Sequence, residues 1–268
     1  MIFLFNRNVY FCSPLNLSMN TFRNVWSDEY SIQWRDTTAN GLTGIVAMMH
    51  FFQESAWHHA DYLGFGLERS AEHQQVWVII RFKIIMNRYP SWADSIKVET
   101  WPSGRDGLLA FRDFKIMTLA GEVLGQGTSA WMVISTLTRR PKKLDFLDSI
   151  SPYQFPAPVF TSQPGKIILP NHLEPEYIYK VRYGDMDAHG HVNNVRYSAM
   201  IMEAFDLEWH KSHFLKSFEI NFIQEALHCD ELSVKLGHLE NGDFFASINR
   251  LNDNQLVIAA HLMWEKHS

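Results

Sequence analysis

Polar and apolar residues alternate along VWVIIRFKIIM, SIKVETW, LLAFRDFKIMTL and EVLGQGTSAWMVIS in the first half of the chain, and along FEINFIQEA, ELSVKLGHL, FFASINRL and QLVIAAHLMW in the second. A period of two sends successive side chains to opposite faces, so these runs predict strands. One segment ahead of each set keeps a different rhythm. In GIVAMMHFFQESAW the apolar Ile45, Met49, Phe52 and Ala56 recur at intervals of four and three, and in HVNNVRYSAMIMEAF so do Val195, Ala199, Met202 and Phe205. Each set marks one face of a helix turned toward a core. LAGE and ENGD carry hairpin signals between strands. The pattern predicts an α+β fold, an antiparallel sheet wrapped around one central helix, built twice.

The two builds align. A shift of 149 residues lays Asp36 on Asp185, Ala39 on Ala188, Gly41 on Gly190, Val46 on Val195 and Glu54 on Glu203. Between the copies, SPYQFPAPVFTSQPGKIILPNHLEPEY holds six prolines. Proline fixes φ and donates no backbone hydrogen bond, so this stretch reads as an extended connection. The expected organisation is an N-terminal extension over residues 1–24, a first domain over 25–147, a linker over 148–176 and a second domain over 177–268.

Composition narrows the class. With 46% hydrophobic and 14% aromatic residues among 268, a sizeable core is available. No apolar run approaches the ~20 residues of a membrane-spanning helix, since VWVIIRFKIIM is broken by Arg81 and Lys83. The apolar head MIFLF precedes its charge instead of following it, unlike a signal peptide, and Met19 is an alternative start. Two cysteines, Cys12 and Cys229, make no disulfide framework and fit a reducing compartment, the cytoplasm by default. A formal net charge of -5 argues against a general nucleic-acid surface.

The chemistry concentrates in YGDMDAHGHVNNVRYSAMIMEAF, where Asp187, His189 and His191 surround Gly190 just ahead of the second helix. Under the shift of 149, the first copy has Thr38, Asn40 and Leu42 at those three places, so one half carries acid and imidazole groups and the other does not. Together with NRYPSWADSIKVETWPSG and SAWMVISTLTRRPKKL, this stretch resembles the acyl-acyl carrier protein thioesterases from about Val25 to the C-terminus.

That resemblance implies two fused hotdog domains, with catalysis in the second and no metal or cofactor. The family's Asp-x-Asn-x-His run falls on Asp187, His189 and His191, with His189 in place of Asn, and its Glu falls on Glu225. Plant members have Cys after that Glu; here it is Ala226, which leaves attack by water as the mechanism. The substrate implied is a fatty acyl chain on the phosphopantetheine arm of an acidic acyl carrier protein. The first domain would hold the chain.

Each residue has a plainer reading beside this one. Asp187 equally suits a helix cap, and His-x-His with Asp is a frequent zinc set, here without a clear further ligand. Glu225 in a strand-like apolar run reads either as a partly desolvated general base or as a strand-edge carboxylate in water. Gly190, Val192 and Asn193 would present backbone N–H groups and the positive helix end to an oxyanion, while Asn193 and Asn194 suit the first helical turn. Ile45, Met49 and Phe52 line the acyl channel or are ordinary core. Arg139, Arg140, Lys142 and Lys143 dock the carrier protein or form a solvated loop. An acyl-coenzyme A thioesterase, a non-catalytic acyl binder, more distantly a hotdog dehydratase, and a homodimer of such chains stay open at this level.

Overall fold

The computed structural model describes residues 22–150, 153–239 and 242–267. Cys12, Met19 and all but the end of the expected N-terminal extension lie outside the described residues.

In the first copy β1 (Trp26–Ser31) leads through a turn into α1 (Ile45–Tyr62) and the short α2 (Leu67–Glu72), then β2 (Gln75–Met86), β3 (Ser95–Asp106), β4 (Leu109–Thr118) and β5 (Val123–Ser135). The second copy repeats this with β6 (Glu174–Lys180), α3 (Asn194–Met202), α4 (Leu207–Ser212), β7 (His213–Phe222), β8 (Glu231–His238), β9 (Phe244–Arg250) and β10 (Gln255–Lys266). The strands form one antiparallel sheet in the order β1-β3-β4-β5-β2-β7-β10-β9-β8-β6. The copies therefore join edge to edge at β2 and β7, where Lys83 lies opposite Glu219 and their charged ends meet at 2.6 Å. Pairing the two edges removes an exposed strand from each copy.

α1 is buried along the face its sequence predicts: Ile45, Met49, Phe52 and Ala56 are all in the core. Phe52 packs between Phe82 and Phe114, with ring centroids 6.0 and 4.8 Å away. Met49 meets α3, its Sδ 2.9 Å from Ser198 Oγ. Met49 and Ser198 are 149 apart, so each is the other's counterpart in the duplication. Met49 and Phe52, expected to border a channel, are buried among side chains here, and a Met49→Trp variant overpacks this face. The expected outcome is a melting midpoint lowered by the equivalent of about 1–3 kcal/mol with an unchanged acyl-chain profile, read by thermal melts and product analysis.

α3 departs from expectation in length. It stops at Met202, so Phe205, itself buried, falls beyond it; the helix buries Val195, Tyr197, Ser198, Met200 and Ile201, while Ala199 and Met202 of the expected stripe are half-buried. Asp206 then caps a new helix, its Oδ1 accepting the Trp209 N–H at 2.6 Å, and a chain that starts α4 there cannot prolong α3.

The connection after residue 152 has no helix or strand until Glu174, inside the stretch expected to be linker. Pro175 is tolerated in β6 because that strand is the sheet's edge, with a register shift at Pro175 and Tyr177. The connection crosses the β2–β7 seam. Arg81 donates to the Pro164 carbonyl at 3.0 Å, and Asn221 bonds Ile167 N–H and the Gly165 carbonyl at 2.8 and 3.2 Å. No described helix is long and apolar enough to cross a membrane.

Candidate active site

The loop from Arg182 to Asn193 is shaped by two aspartates. Asp185 is buried, 2% exposed, and accepts from Arg182 N–H at 2.8 Å, from Arg196 Nε at 2.9 Å and from Tyr179 Oη at 3.0 Å. Burial alone would raise its carboxyl; the hydrogen bonds from Arg182, Tyr179 and Arg196 and the Arg196 charge outweigh it and hold the group below its ordinary value. Asp187 closes the next turn, its Oδ1 accepting the N–H groups of His189 and His191 at 2.8 and 3.3 Å while its own N–H donates to the His191 carbonyl at 2.9 Å. Gly190 takes φ +80 there, a left-handed conformation that glycine adopts without a side-chain penalty.

The loop is then clamped to the segment after β7. Val192 N–H donates to the Ala226 carbonyl at 3.1 Å, and Asn193 N–H to the Asp185 carbonyl at 2.8 Å. This brings His191 to Glu225, Nε2 to Oε2 3.1 Å. A second group reaches the same oxygen: Arg139 Nη2, at 2.7 Å, from the turn after β5 in the other copy. Arg250 Nη1 donates to the Glu225 main-chain carbonyl at 3.0 Å, and Ala226 N–H donates to Tyr197 Oη at 3.1 Å. Tyr197 is buried in α3; burial pushes its phenol up, with the charges of Glu225, Asp230 and Asp187 adding and the Ala226 hydrogen bond opposing.

Several expectations are corrected here. β7 ends at Phe222, so Glu225 lies in a loop and not in the strand-like run expected for it, its side chain 43% exposed and paired with a cation. The N–H groups of Gly190, Val192 and Asn193 all have backbone acceptors, because the loop needs them to hold its own shape. Helix α3 starts one residue later than they require, with Asn193 as its cap accepting the Val195 N–H at 3.0 Å. Counting on from Gly190, the first N–H without an acceptor among the described residues is that of Asn194. Arg139, expected to dock a carrier protein, is engaged by Glu225. Lys142 donates to the His73 carbonyl at 3.2 Å, and only Arg140 and Lys143 of that cluster are exposed without such a contact. The His189 side chain has no hydrogen-bond partner among the described residues. Among them, too, no three metal-ligating side chains converge. Cys229 is exposed beside His228, four residues past Glu225.

The first copy has the same frame without the chemistry. Thr43 N–H donates to the Pro90 carbonyl at 2.8 Å as Val192 does to Ala226, and Ser91 N–H to Asp94 at 2.8 Å as Leu227 does to Asp230 at 2.9 Å. Pro90 thus answers to Ala226, an offset of 136, and Tyr89 answers to Glu225. A cleft of about 970 Å³ opens there, lined by Thr38, Asn40, Leu42 and Tyr89. Ile45, expected to border the acyl channel, lines this cleft. A smaller, almost wholly apolar cavity of about 80 Å³ lies at the far end of α1, among Ala56, Trp57, Ala60, Leu63, Trp77 and Trp131.

Residues 23–150 match the sequence profile of the acyl-ACP thioesterase N-terminal domain and residues 172–266 that of the C-terminal domain. A chloroplastic palmitoyl-acyl carrier protein thioesterase from Gossypium hirsutum is 28% identical over 91% of this chain and 65% of its own length. The chain spans between about half and two thirds of the length of such curated relatives. An acyl-ACP thioesterase from Bacteroides thetaiotaomicron superposes with a TM-score of 0.84 at 24% identity, covering 91% of this chain and 98% of that one. The 12:0-ACP thioesterase from Umbellularia californica gives 0.81 at 24% identity, covering 93% and 100%. The shared fold is two fused hotdog domains.

Proposed function

From the premise that this chain belongs to the acyl-ACP thioesterase family, we propose that it hydrolyses the thioester of a fatty acyl group on acyl carrier protein, releasing the fatty acid and the carrier's phosphopantetheine thiol. The observation that carries this reading is the 3.1 Å contact between His191 and Glu225, on a loop tied by Asp187, in the one copy that has these groups. Glu225 takes a proton from water through Oε1, which no protein group engages among the described residues. The hydroxide adds to the thioester carbonyl, and the oxyanion faces the free Asn194 N–H at the positive end of α3. Collapse expels the thiolate, which takes the proton back through the Glu225–His191 pair. Ala226 offers no thiol, so no acyl-enzyme forms at that position.

The acyl chain ends in the apolar cavity beside α1. Trp131 lies four residues up β5 from Ser135, about 13 Å along the strand, and the turn carrying Arg139 follows Ser135. A whole ligand site is typically ~300–1,000 Å³, so this cavity takes the far end of a chain whose head is at Glu225. Ala60→Leu fills it, and the expected result is a released-acid profile shifted toward shorter chains by about two carbons at a stability within ~1 kcal/mol of the parent. An unchanged profile places the chain elsewhere.

We assign the reaction to a reducing, aqueous compartment, the cytoplasm on the sequence's own signals; the Gossypium hirsutum relative is named chloroplastic. Release of free thiol from a panel of acyl carrier protein and acyl-coenzyme A thioesters tests the proposal. Turnover of the coenzyme A esters alone replaces the substrate, and turnover of none leaves an acyl-binding protein.

A further inference from the structure

Among the described residues, Arg139 is the single contact at the candidate catalytic carboxylate that comes from the other copy, and none of them in its own copy engages its guanidinium. It sits in the tight turn that ends β5, where its N–H donates to the Ser135 carbonyl at 2.9 Å and Ser135 N–H donates to the Arg140 carbonyl at 2.9 Å. Its φ is +56, a left-handed conformation that glycine or asparagine adopts at lower cost. The turn itself would be served by either. The guanidinium instead crosses to the second copy and lies 2.7 Å from Glu225 Oε2.

We propose that Arg139 is a positioning residue for Glu225, holding its carboxylate turned so that Oε1 faces the attacking water; this rests on Glu225 being the acid/base group. Two groups converge on one oxygen, Arg139 at 2.7 Å and His191 at 3.1 Å, and a carboxylate pinned through Oε2 has its other oxygen's direction fixed. The main chain beneath it is fixed independently by Arg250 and Tyr197, so Arg139 acts on the side chain and not on the loop.

The other charges nearby do not replace it. Arg250 lies 2.7 Å from Asp253 and 3.7 Å from Asp230, and points at the Glu225 carbonyl. Asp187, on the loop before α3, spends Oδ1 on backbone N–H groups and adds negative charge, and Tyr197 is a protonated phenol held by Ala226. Arg139 is thus the cation that offsets Asp187 at Glu225. Because the residue and its target belong to different copies, the contact also makes the catalytic half depend on the half without acid and imidazole groups.

Arg139→Gln and Arg139→Lys in the full chain, measured beside Glu225→Gln, test this by kcat and KM on acyl carrier protein and acyl-coenzyme A substrates. The expected result for Arg139→Gln is kcat lowered about tenfold to a hundredfold with both substrates, the scale of a misplaced catalytic group. KM changes equally for both substrates, and the lysine variant recovers part of kcat. A rise in KM for the carrier-bound substrate alone, with kcat unchanged, overturns the proposal in favour of docking. No kinetic change in Arg139→Gln beside an inactive Glu225→Gln overturns it in favour of a surface ion pair. Normal hydrolysis by Glu225→Gln removes the reading of the site on which the proposal stands, whatever Arg139 does.

Discussion

Glu225→Gln and His191→Ala each lower single-turnover hydrolysis of acyl carrier protein thioesters by about a hundredfold or more, at an unchanged circular dichroism spectrum. The size follows from what each change removes. Glutamine keeps the shape of the side chain and can still accept from Arg139, but it takes no proton from water. Alanine at 191 removes the imidazole 3.1 Å from that carboxylate, and with it the relay that returns the proton to the leaving thiolate. Folding is spared because neither side chain holds the loop: Asp187 bonds the backbone of His191, and Val192 and Asn193 are clamped through their own N–H groups. Arg139, 62% exposed, is hydrated when its partner becomes neutral. Near-normal turnover by either folded variant sinks the water-attack mechanism.

Asp185→Ala gives the largest loss of stability of the substitutions considered, about 2–3 kcal/mol. A wholly buried pair broken on one side costs ~3–5 kcal/mol, and Arg196, 38% exposed, regains some solvation. In a chain of this size that is a melting point roughly 5–10 °C lower. The duplication provides the control. Asp36 is the counterpart, yet Arg35 comes no closer than 4.0 Å and Tyr30 bonds Ser55 at 2.9 Å instead, so Asp36→Ala costs under ~1 kcal/mol. The pH dependence has a fixed sign. Because the folded carboxyl is held low, its stabilisation is present above the unfolded value near 3.8 and is lost as pH falls through the lower folded value. Asp185→Ala therefore lacks that part of the acid destabilisation. Equal melting shifts for the two aspartates, in scanning calorimetry at pH 7, would refute the account.

What the sequence discloses here is whatever repeats locally. Period-two runs located the strands, the face through Ile45, Met49, Phe52 and Ala56 located α1, and the shift of 149 separated a half with acid and imidazole groups from one without. What it hides is set by distance along the chain. Glu225 looked like part of a strand because its apolar neighbours continue the pattern of β7; the end at Phe222 comes from Ala226 being drawn to Val192. Tyr89 is hidden as its counterpart because the offset changes from 149 at the helix starts to 136 after them, most of the change lying in the helices, α1 having 18 residues and α3 nine. The shared endings SWAD and LHCD were the available signal, with Ala93 and Cys229 both at positive φ. Arg139 had no signal of its own: it is 86 residues from Glu225, and only the joining of β5, β2 and β7 in one sheet brings them together.

The Met49–Ser198 contact says something about assembly. In a pair of identical subunits a residue on the twofold axis meets its own copy, so its size must suit itself. Here a long side chain meets a short one. Two methionines would crowd the crossing of α1 and α3, and two serines would leave a gap at the centre of the core. Such a combination is open only to halves that are always each other's partner, as they are on one chain. Symmetry is broken at the axis itself, and the two helices, having stopped being interchangeable, are free to keep different lengths and different work.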